Sequence, residues 1–343
     1  MQAQSNHKVV LAARPVGEPT PADFSLVNED IPTIGDGEIL CRTIYLSLDP
    51  YMRGRMSDAK SYSAPLEIGD VIVGGTVSEV VESNNPKFAP GDTVFSMGGW
   101  QGYSVSDGSD ASKIDPSLAP ISTALGILGM PGMTAYTGLM NIGQPKPGET
   151  VVVAAASGAV GSAVGQIAKL NGCRAVGIAG SPEKCRYVVE ELGFDACISH
   201  YDEDFPAQLE AACPDGIDVY FENVGGKVFT AVSKLLNTFA RIPVCGLIAN
   251  YNLTELPAGP DMTPLLQRKI LTHRLNLRGF IVWDFADQTK EFLSTVGAWL
   301  KEGKIKYRED IVDGLENAPQ AFIGLLNGKN FGKLVIRVGD DPA

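Results

Sequence analysis

From Ala156 to Gly161 the chain reads Ala-Ser-Gly-Ala-Val-Gly, the spacing of the dinucleotide fingerprint Gly-x-Gly-x-x-Gly with alanine in the first place. Small residues suit one task in particular. They let the backbone at Gly158, Ala159 and Val160 approach a pyrophosphate, and the helix that follows offers free N–H groups and a positive dipole end. Gly161 lets that helix lie close to the preceding strand. About 20 residues further on, NAD-binding units carry an Asp or Glu for the ribose hydroxyls. Here Gly180 holds that place, followed by Ser181 and Lys184. A 2′-phosphate would meet no carboxylate at Gly180, and it would find a hydroxyl donor and a positive charge. The pattern favours NADPH over NADH. Ser181 also reads as the cap of a helix begun by Pro182, with Lys184 solvated; the two readings are compatible. Glu183 is the one discordant charge.

Metal chemistry has little to work with. The cysteines at 41, 173, 185, 197, 213 and 245 form no Cys-x-x-Cys pair, and His7, His200 and His273 form no His-Glu-x-x-His. No metal site is expected, and the cysteines read as free, packed thiols of a reducing compartment.

These residues need elements to hold them. Val151–Ala156 reads as the first strand of a series in which apolar strands alternate with helices up to about residue 280. That pattern argues for a parallel sheet covered on both faces. Residues before about 125 instead show short apolar runs between Gly, Pro and Asp, as in GEILCRTIYLSLDP and DVIVGGTVSEVVES, which read as a β-rich domain. Ile121–Gly143 is long, apolar and helix-like, though broken by Gly and Pro. A strand in LNLRGFIV and a helix in KEFLSTVGAWLKEGK follow the alternating series. The last segment returns to short strands around one helix and is expected to pack on the first domain.

The chain has 343 residues, 44% of them hydrophobic, and 28 basic against 40 acidic side chains, a formal charge of −12. An acidic chain has no electrostatic reason to bind nucleic acid or an anionic membrane. No apolar run approaches the roughly 20 residues that span a bilayer, and no signal peptide is recognisable, so the cytoplasm is the expected compartment.

Several spaced motifs together resemble the zinc-free branch of the medium-chain dehydrogenase/reductases. The resemblance is to the leukotriene B4 dehydrogenase/prostaglandin reductase group, with its alkenal and curcumin-reductase-like members. The motifs are SLDPYMRGRM, GMPGMTAYTGL, AASGAVGSAVGQIAK, GSPEKC, YFENVGG, CGLIANYN, RGFIV and GKNFGKLVI. The resemblance implies an α/β chain: a GroES-like catalytic domain from residues 1–127 and 306–343, and a Rossmann domain over 128–305. It also implies a homodimer paired through the LNLRGFIV strand. Where zinc relatives carry a Cys and a Gly-His-Glu, this chain reads LDPYMR and IGDVIVGG. The implied reaction is NADPH-dependent reduction of the carbon–carbon double bond of α,β-unsaturated ketones or aldehydes.

By matching motifs, Met133, Thr134 and Phe280 belong to the nicotinamide side, and Gly158 and Val160 to the pyrophosphate. Lys184 and Tyr201 belong to the 2′-phosphate. Asn223, Cys245, Leu247, Tyr251 and Asn330 complete the cofactor contacts. Enone reduction needs a donor for the oxygen on which charge grows, and a phenol, with a pKa of about 10, is protonated at neutral pH. Tyr62, Tyr51 and Tyr251 are the candidates, with Tyr62 on the substrate side. Several relatives carry a catalytic Tyr eight residues before the Phe of GFIV; Thr272 stands there, beside His273, which reads as a surface residue. Two other readings stay open: a quinone reductase, and an NADPH-binding protein without turnover.

Overall fold

The computed structural model describes residues 5–341. The chain forms two compact units, one from the residues up to Gly126 together with those from Glu309 on, the other from Ile127 to Arg308.

In the first unit the Ile39–Ser47 strand is central. Almost every side chain along it is buried, as a strand covered on both faces requires. It pairs antiparallel with Thr76–Ser83 and, along part of its length, with Tyr103–Ser106. The C-terminal strand Lys333–Arg337 pairs with it as well, Val335 opposite Ser47, so the last segment returns to the sheet of the first. Glu309–Asp313 lies parallel beside Lys333–Arg337. One core cluster gathers Phe24, Trp100 and Phe322: the first two rings stack at 5.8 Å and Phe322 meets both edge-on.

The second unit holds a six-stranded parallel sheet in the order Ala196–Ser199, Arg174–Ala179, Thr150–Ala154, Ile217–Phe221, Leu236–Val244, Asn276–Gly279. Strand order reverses beside Thr150–Ala154, the switch point at which Rossmann sheets bind ligands beyond their strand ends. Val151 and Val153 enter one core cluster, and Val152 and Ala154 the cluster on the opposite face. The continuous apolar run therefore reflects burial on both sides.

Several elements differ from expectation. The first strand ends at Ala154 rather than Ala156. Ile121–Gly143 is three pieces: a 3-10 turn at Ile121–Leu125, an α-helix at Met130–Thr137 and a π-helical turn at Gly138–Gly143. Gly138, where the α-helix meets the π-helical turn, makes room for Phe280: a Cβ there would lie 2.3 Å from that ring. Only Asn276–Gly279 of LNLRGFIV is a strand. An additional helix, Thr263–His273, has no fully buried residue; Ile270 packs partly buried against one core cluster of the sheet.

Candidate active site

Ala155 leaves the first strand with φ of 53°, a left-handed conformation that costs a non-glycine residue roughly 1–2 kcal/mol. The turn it begins brings its carbonyl against the next helix, Ala159–Leu170: a Cβ on Gly161 would lie 2.3 Å from the Ala155 oxygen. Gly158 is the N-cap of that helix and no side chain caps it. The first helical bond runs from the Ser162 N–H to the Gly158 carbonyl, 3.0 Å. The N–H groups of Ala159, Val160 and Gly161 come before it and find no side-chain acceptor among the described residues. An uncapped helix start of this kind fits a pyrophosphate.

The second strand ends at Ala179, and Gly180 follows it. Ser181 caps the Pro182–Glu190 helix, its hydroxyl accepting the Lys184 N–H at 3.2 Å. Glu183 is exposed on the same turn. A Cβ on Gly180 would be 3.5 Å from the Tyr201 ring and 3.6 Å from that of His200, so two rings from the end of the third strand frame this glycine. Tyr201 packs against His200 at 4.2 Å between centroids and lies under the Lys227 ammonium at 5.2 Å. Gly180, Ser181, Lys184 and Tyr201 thus come together, joined by His200 and Lys227, which the sequence reading left unassigned.

At the end of the fourth strand Asn223 donates to the Ala154 carbonyl at 2.8 Å, tying this turn to the fingerprint strand. The residue before it, Glu222, is fully buried. Its Oε1 accepts from the Tyr220 hydroxyl at 2.9 Å and from the N–H groups of Val224 and Gly225 at 2.7 and 2.8 Å. Its Oε2 has no hydrogen-bond partner among the described residues. Burial outweighs the donors and raises its pKa above the ordinary carboxylate value. Gly225, at φ 78° and ψ −154°, adopts a conformation close to glycine-only.

Cys245 donates its N–H to the Glu222 carbonyl at 2.9 Å, and burial, then the charge of Glu222, push its thiol up to about 12. The Tyr251 hydroxyl accepts the Leu247 N–H at 3.3 Å, bracing the loop between them. Phe280 is a core ring, edge-on to Phe221. Met133 and Thr134 are buried too, the Met133 sulfur accepting from Thr289 and the Thr134 hydroxyl donating to the Met130 carbonyl at 2.7 Å. Thr272 is exposed, its hydroxyl 3.0 Å from Nδ1 of a half-buried His273.

In the first unit, Tyr51 opens the short Met52–Arg55 helix. Two residues earlier Asp49 is buried in an ion pair with Lys333 at 2.7 Å, and Lys333 also donates to the Leu48 carbonyl at 2.8 Å. The Ser47 hydroxyl donates to the other Asp49 oxygen. The C-terminal strand thereby fixes the Asp-Pro-Tyr segment. Burial first, then Asp49, hold the Tyr51 pKa well above that of an ordinary phenol, and Tyr62 is close enough to act on it. Tyr62 itself is 65% exposed. Asn330 donates to the Gly332 carbonyl at 2.8 Å, inside the turn that leads to Lys333. Among the described residues no cluster of three or more His, Cys, Asp or Glu is placed to hold a metal ion.

Glu222 and the Asp49–Lys333 pair escaped the sequence reading. A buried carboxylate is indistinguishable in sequence from a solvated one, although its place just ahead of Asn-Val-Gly-Gly is a signal of turn bonding. The ion pair joins positions far apart in the chain, and no local pattern encodes it.

Residues 7–114 match a family model described as the N-terminal domain of oxidoreductase, and residues 159–298 one described as zinc-binding dehydrogenase. The chain is 60% identical, over 99% of each chain, to the NADPH-dependent curcumin reductase of Escherichia coli (strain K12). The chain belongs to the medium-chain dehydrogenase/reductases. Within that family it falls in the group its motifs resemble. It is 42% identical to the 2-alkenal reductase (NADP(+)-dependent) of Nicotiana tabacum, over 97% of this chain and 98% of the relative. The structure of CurA in complex with NADPH from Vibrio vulnificus superposes with a TM-score of 0.95 at 56% identity, covering 98% of this chain and all of that one. The two-domain fold of the family, a β-rich domain and a Rossmann domain, is the fold of this chain.

Proposed function

We propose that this reductase uses NADPH to reduce the carbon–carbon double bond of α,β-unsaturated ketones and aldehydes. The observation that carries this reading is the 60% identity, over nearly the whole chain, to a protein named as an NADPH-dependent curcumin reductase. The relative named as a 2-alkenal reductase supports extending it to aldehydes. When bound, NADPH supplies a hydride to the β-carbon.

The uncapped turn at Gly158, Ala159 and Val160 is assigned to the pyrophosphate, and Gly180, Ser181, Lys184 and Tyr201 to the 2′-phosphate. Asn223, Cys245, Leu247 and Tyr251, with Met133, Thr134 and Phe280, are assigned to the remainder of the cofactor; Asn330 is assigned to it by family resemblance alone. The unit from Ile127 to Arg308 is then the cofactor domain and the other unit the catalytic domain. As charge grows on the substrate carbonyl oxygen, a neutral donor lowers the barrier. Tyr62, an exposed residue, takes that role; Tyr51, with its proton held firmly by burial, supports it. Water protonates the α-carbon.

The test follows NADPH absorbance with 2-nonenal, a dienone, a prostaglandin-type enone and a quinone, with NADH in parallel. Consumption with an enone and NADPH, and little with NADH, is expected. Turnover with the quinone alone, or binding without turnover, would overturn the reading.

A homodimer and a cytoplasmic location belong to the same proposal. The Asn276–Gly279 strand pairs only with Leu236–Val244 among the described residues, leaving one sheet edge open, and the exposed Leu271 and Trp283 flank that strand in the chain. A second copy would cover it, and sedimentation at micromolar concentration reads the mass. The six cysteines are free, which suits a reducing compartment. No helix among the described residues is long and apolar enough to cross a membrane.

A further inference from the structure

His200 closes the third strand and turns back over the second. Its Nδ1 lies 2.9 Å from the Ala179 carbonyl. A carbonyl only accepts, so Nδ1 carries the proton in either charge state. In the neutral ring Nε2 is then a bare lone pair, and only the imidazolium presents an N–H from that atom. No hydrogen bond to Nε2 is made among the described residues. The ring stands 3.6 Å from the point where a Cβ on Gly180 would sit, the place from which this chain omits the ribose-binding acid.

The charges that face His200 are of one sign. Lys184 acts on it from the helix after Gly180, and Lys227 from the first turn of the Gly226–Leu235 helix. Lys227 lies over the Tyr201 ring and forms no ion pair among the described residues. Asp202 and Asp204 both accept from Gln208, and Glu183 and Glu203 are exposed. Burial first, then Lys227 and Lys184, lower the His200 pKa, and the Ala179 bond opposes them only in part. In the free protein burial and two cations thus disfavour the imidazolium, a bias that a dianion would reverse.

We propose that His200 is a proton-linked contact to the 2′-phosphate of NADPH, protonated as the phosphate arrives, and that Lys227 is a second cation selecting NADPH over NADH. This inference rests on the NADPH reading above. The phosphate stabilises the imidazolium, so binding takes up a proton at pH values between the free and bound pKa of His200. Across that window affinity for NADPH falls as pH rises, and affinity for NADH does not.

The experiment measures dissociation constants of NADPH and NADH by fluorescence from pH 6.5 to 8.5 for the wild type, His200→Asn and Lys227→Gln. Asparagine keeps an N–H donor for Ala179 and cannot titrate, and comparing variants cancels the phosphate's own ionisation near pH 6. Over this range the wild-type constant for NADPH should rise about tenfold more than that of His200→Asn, the scale of one charge-assisted bond. NADH constants should run in parallel. Lys227→Gln should weaken NADPH about tenfold, spare NADH and move the pH dependence upward, because removing a neighbouring cation raises the free His200 pKa. Parallel NADPH profiles for wild type and His200→Asn would overturn the role of His200. Equal loss of both cofactors in Lys227→Gln would show that Lys227 is only structural. If the wild type failed to prefer NADPH at any pH, the NADPH reading itself would fall, an outcome distinct from the other two.

Discussion

At the end of the first strand the chain turns through Ala155–Gly158 into a helix that no side chain caps. At the end of the fourth strand the turn is filled by the chain's own Glu222, whose Oε1 takes two N–H groups and a hydroxyl. The strands are neighbours in one parallel sheet, and both turns present N–H groups at the same end of it. In one the anion is built in. In the other its place is left to an outside group, as the cradle of small residues allows. The second-strand turn stands between them, since Ser181 caps its helix with a neutral hydroxyl. Backbone donors alone therefore do not mark a binding turn. The distinguishing feature is whether a side chain already satisfies them.

The largest effect is expected from closing the open turn. In Gly161→Val the new Cβ would lie 2.3 Å from the Ala155 oxygen and 2.8 Å from its carbon, backbone atoms that cannot rotate away. A stability loss of about 2–3 kcal/mol is expected in urea unfolding, with NADPH affinity in a fluorescence titration down by about 100-fold or more, a loss of about 2.7 kcal/mol. Retention of NADPH within a few-fold would remove the pyrophosphate from this turn.

Emptying the filled turn comes next. Glu222→Ala leaves Val224 and Gly225 N–H groups and the Tyr220 hydroxyl without their acceptor, at a cost of about 3 kcal/mol. Glu222→Gln keeps an acceptor and should cost far less. It should also change the pH dependence. In the wild type the folded pKa of Glu222 lies above the unfolded one, so the fold binds more protons between the two values. Stability contributed by this group is complete below the unfolded pKa, about 4.3, and is lost as pH rises through the raised folded pKa. Urea unfolding across the acid to neutral range should show that decline in the wild type and its absence in Glu222→Gln.

This contrast also shows what the sequence could reveal. The Val-Val-Val run is readable because burial on both faces leaves it continuously apolar, and Gly161 because only glycine permits such close approach. The left-handed Ala155 was not, since alanine rarely accepts that conformation and nothing local asks for it. The Thr263–His273 helix is hard to read because its contact with the core is slight: Ile270 packs there only partly buried, and no residue of the helix is fully buried. Glu222, Lys333 and His200 were present as letters, but their roles depend on groups brought together by the fold. Motif positions gave the rest of the candidate site, and packing around it supplied the residues they omit.

A smaller change tests the intermediate turn. Gly180→Asp places a carboxylate where the Cβ would make ordinary contacts with Tyr201 and His200, at 3.5 and 3.6 Å, so the fold should tolerate it. The preference for NADPH over NADH, read as the ratio of kcat/KM, should fall about 100-fold. Half of that change is assigned to repulsion of the phosphate and half to a new acceptor for the ribose hydroxyls. An unchanged ratio would place the adenosine ribose elsewhere.

The smallest effect separates capping from cofactor contact at Ser181. Its hydroxyl accepts the Lys184 N–H, so Ser181→Ala should cost about 1 kcal/mol in urea unfolding. Ser181→Asp keeps a cap and adds a negative charge beside the proposed 2′-phosphate. If Ser181 only caps, the Asp variant should match the wild type in stability and in NADPH affinity. If it faces the phosphate as well, stability should hold while NADPH weakens several-fold and NADH does not. The second outcome is expected, because Gly180, His200 and Lys184 converge on the same end of the sheet. It would make this turn a mixed case, with backbone donors satisfied from within and a side chain still turned toward the ligand.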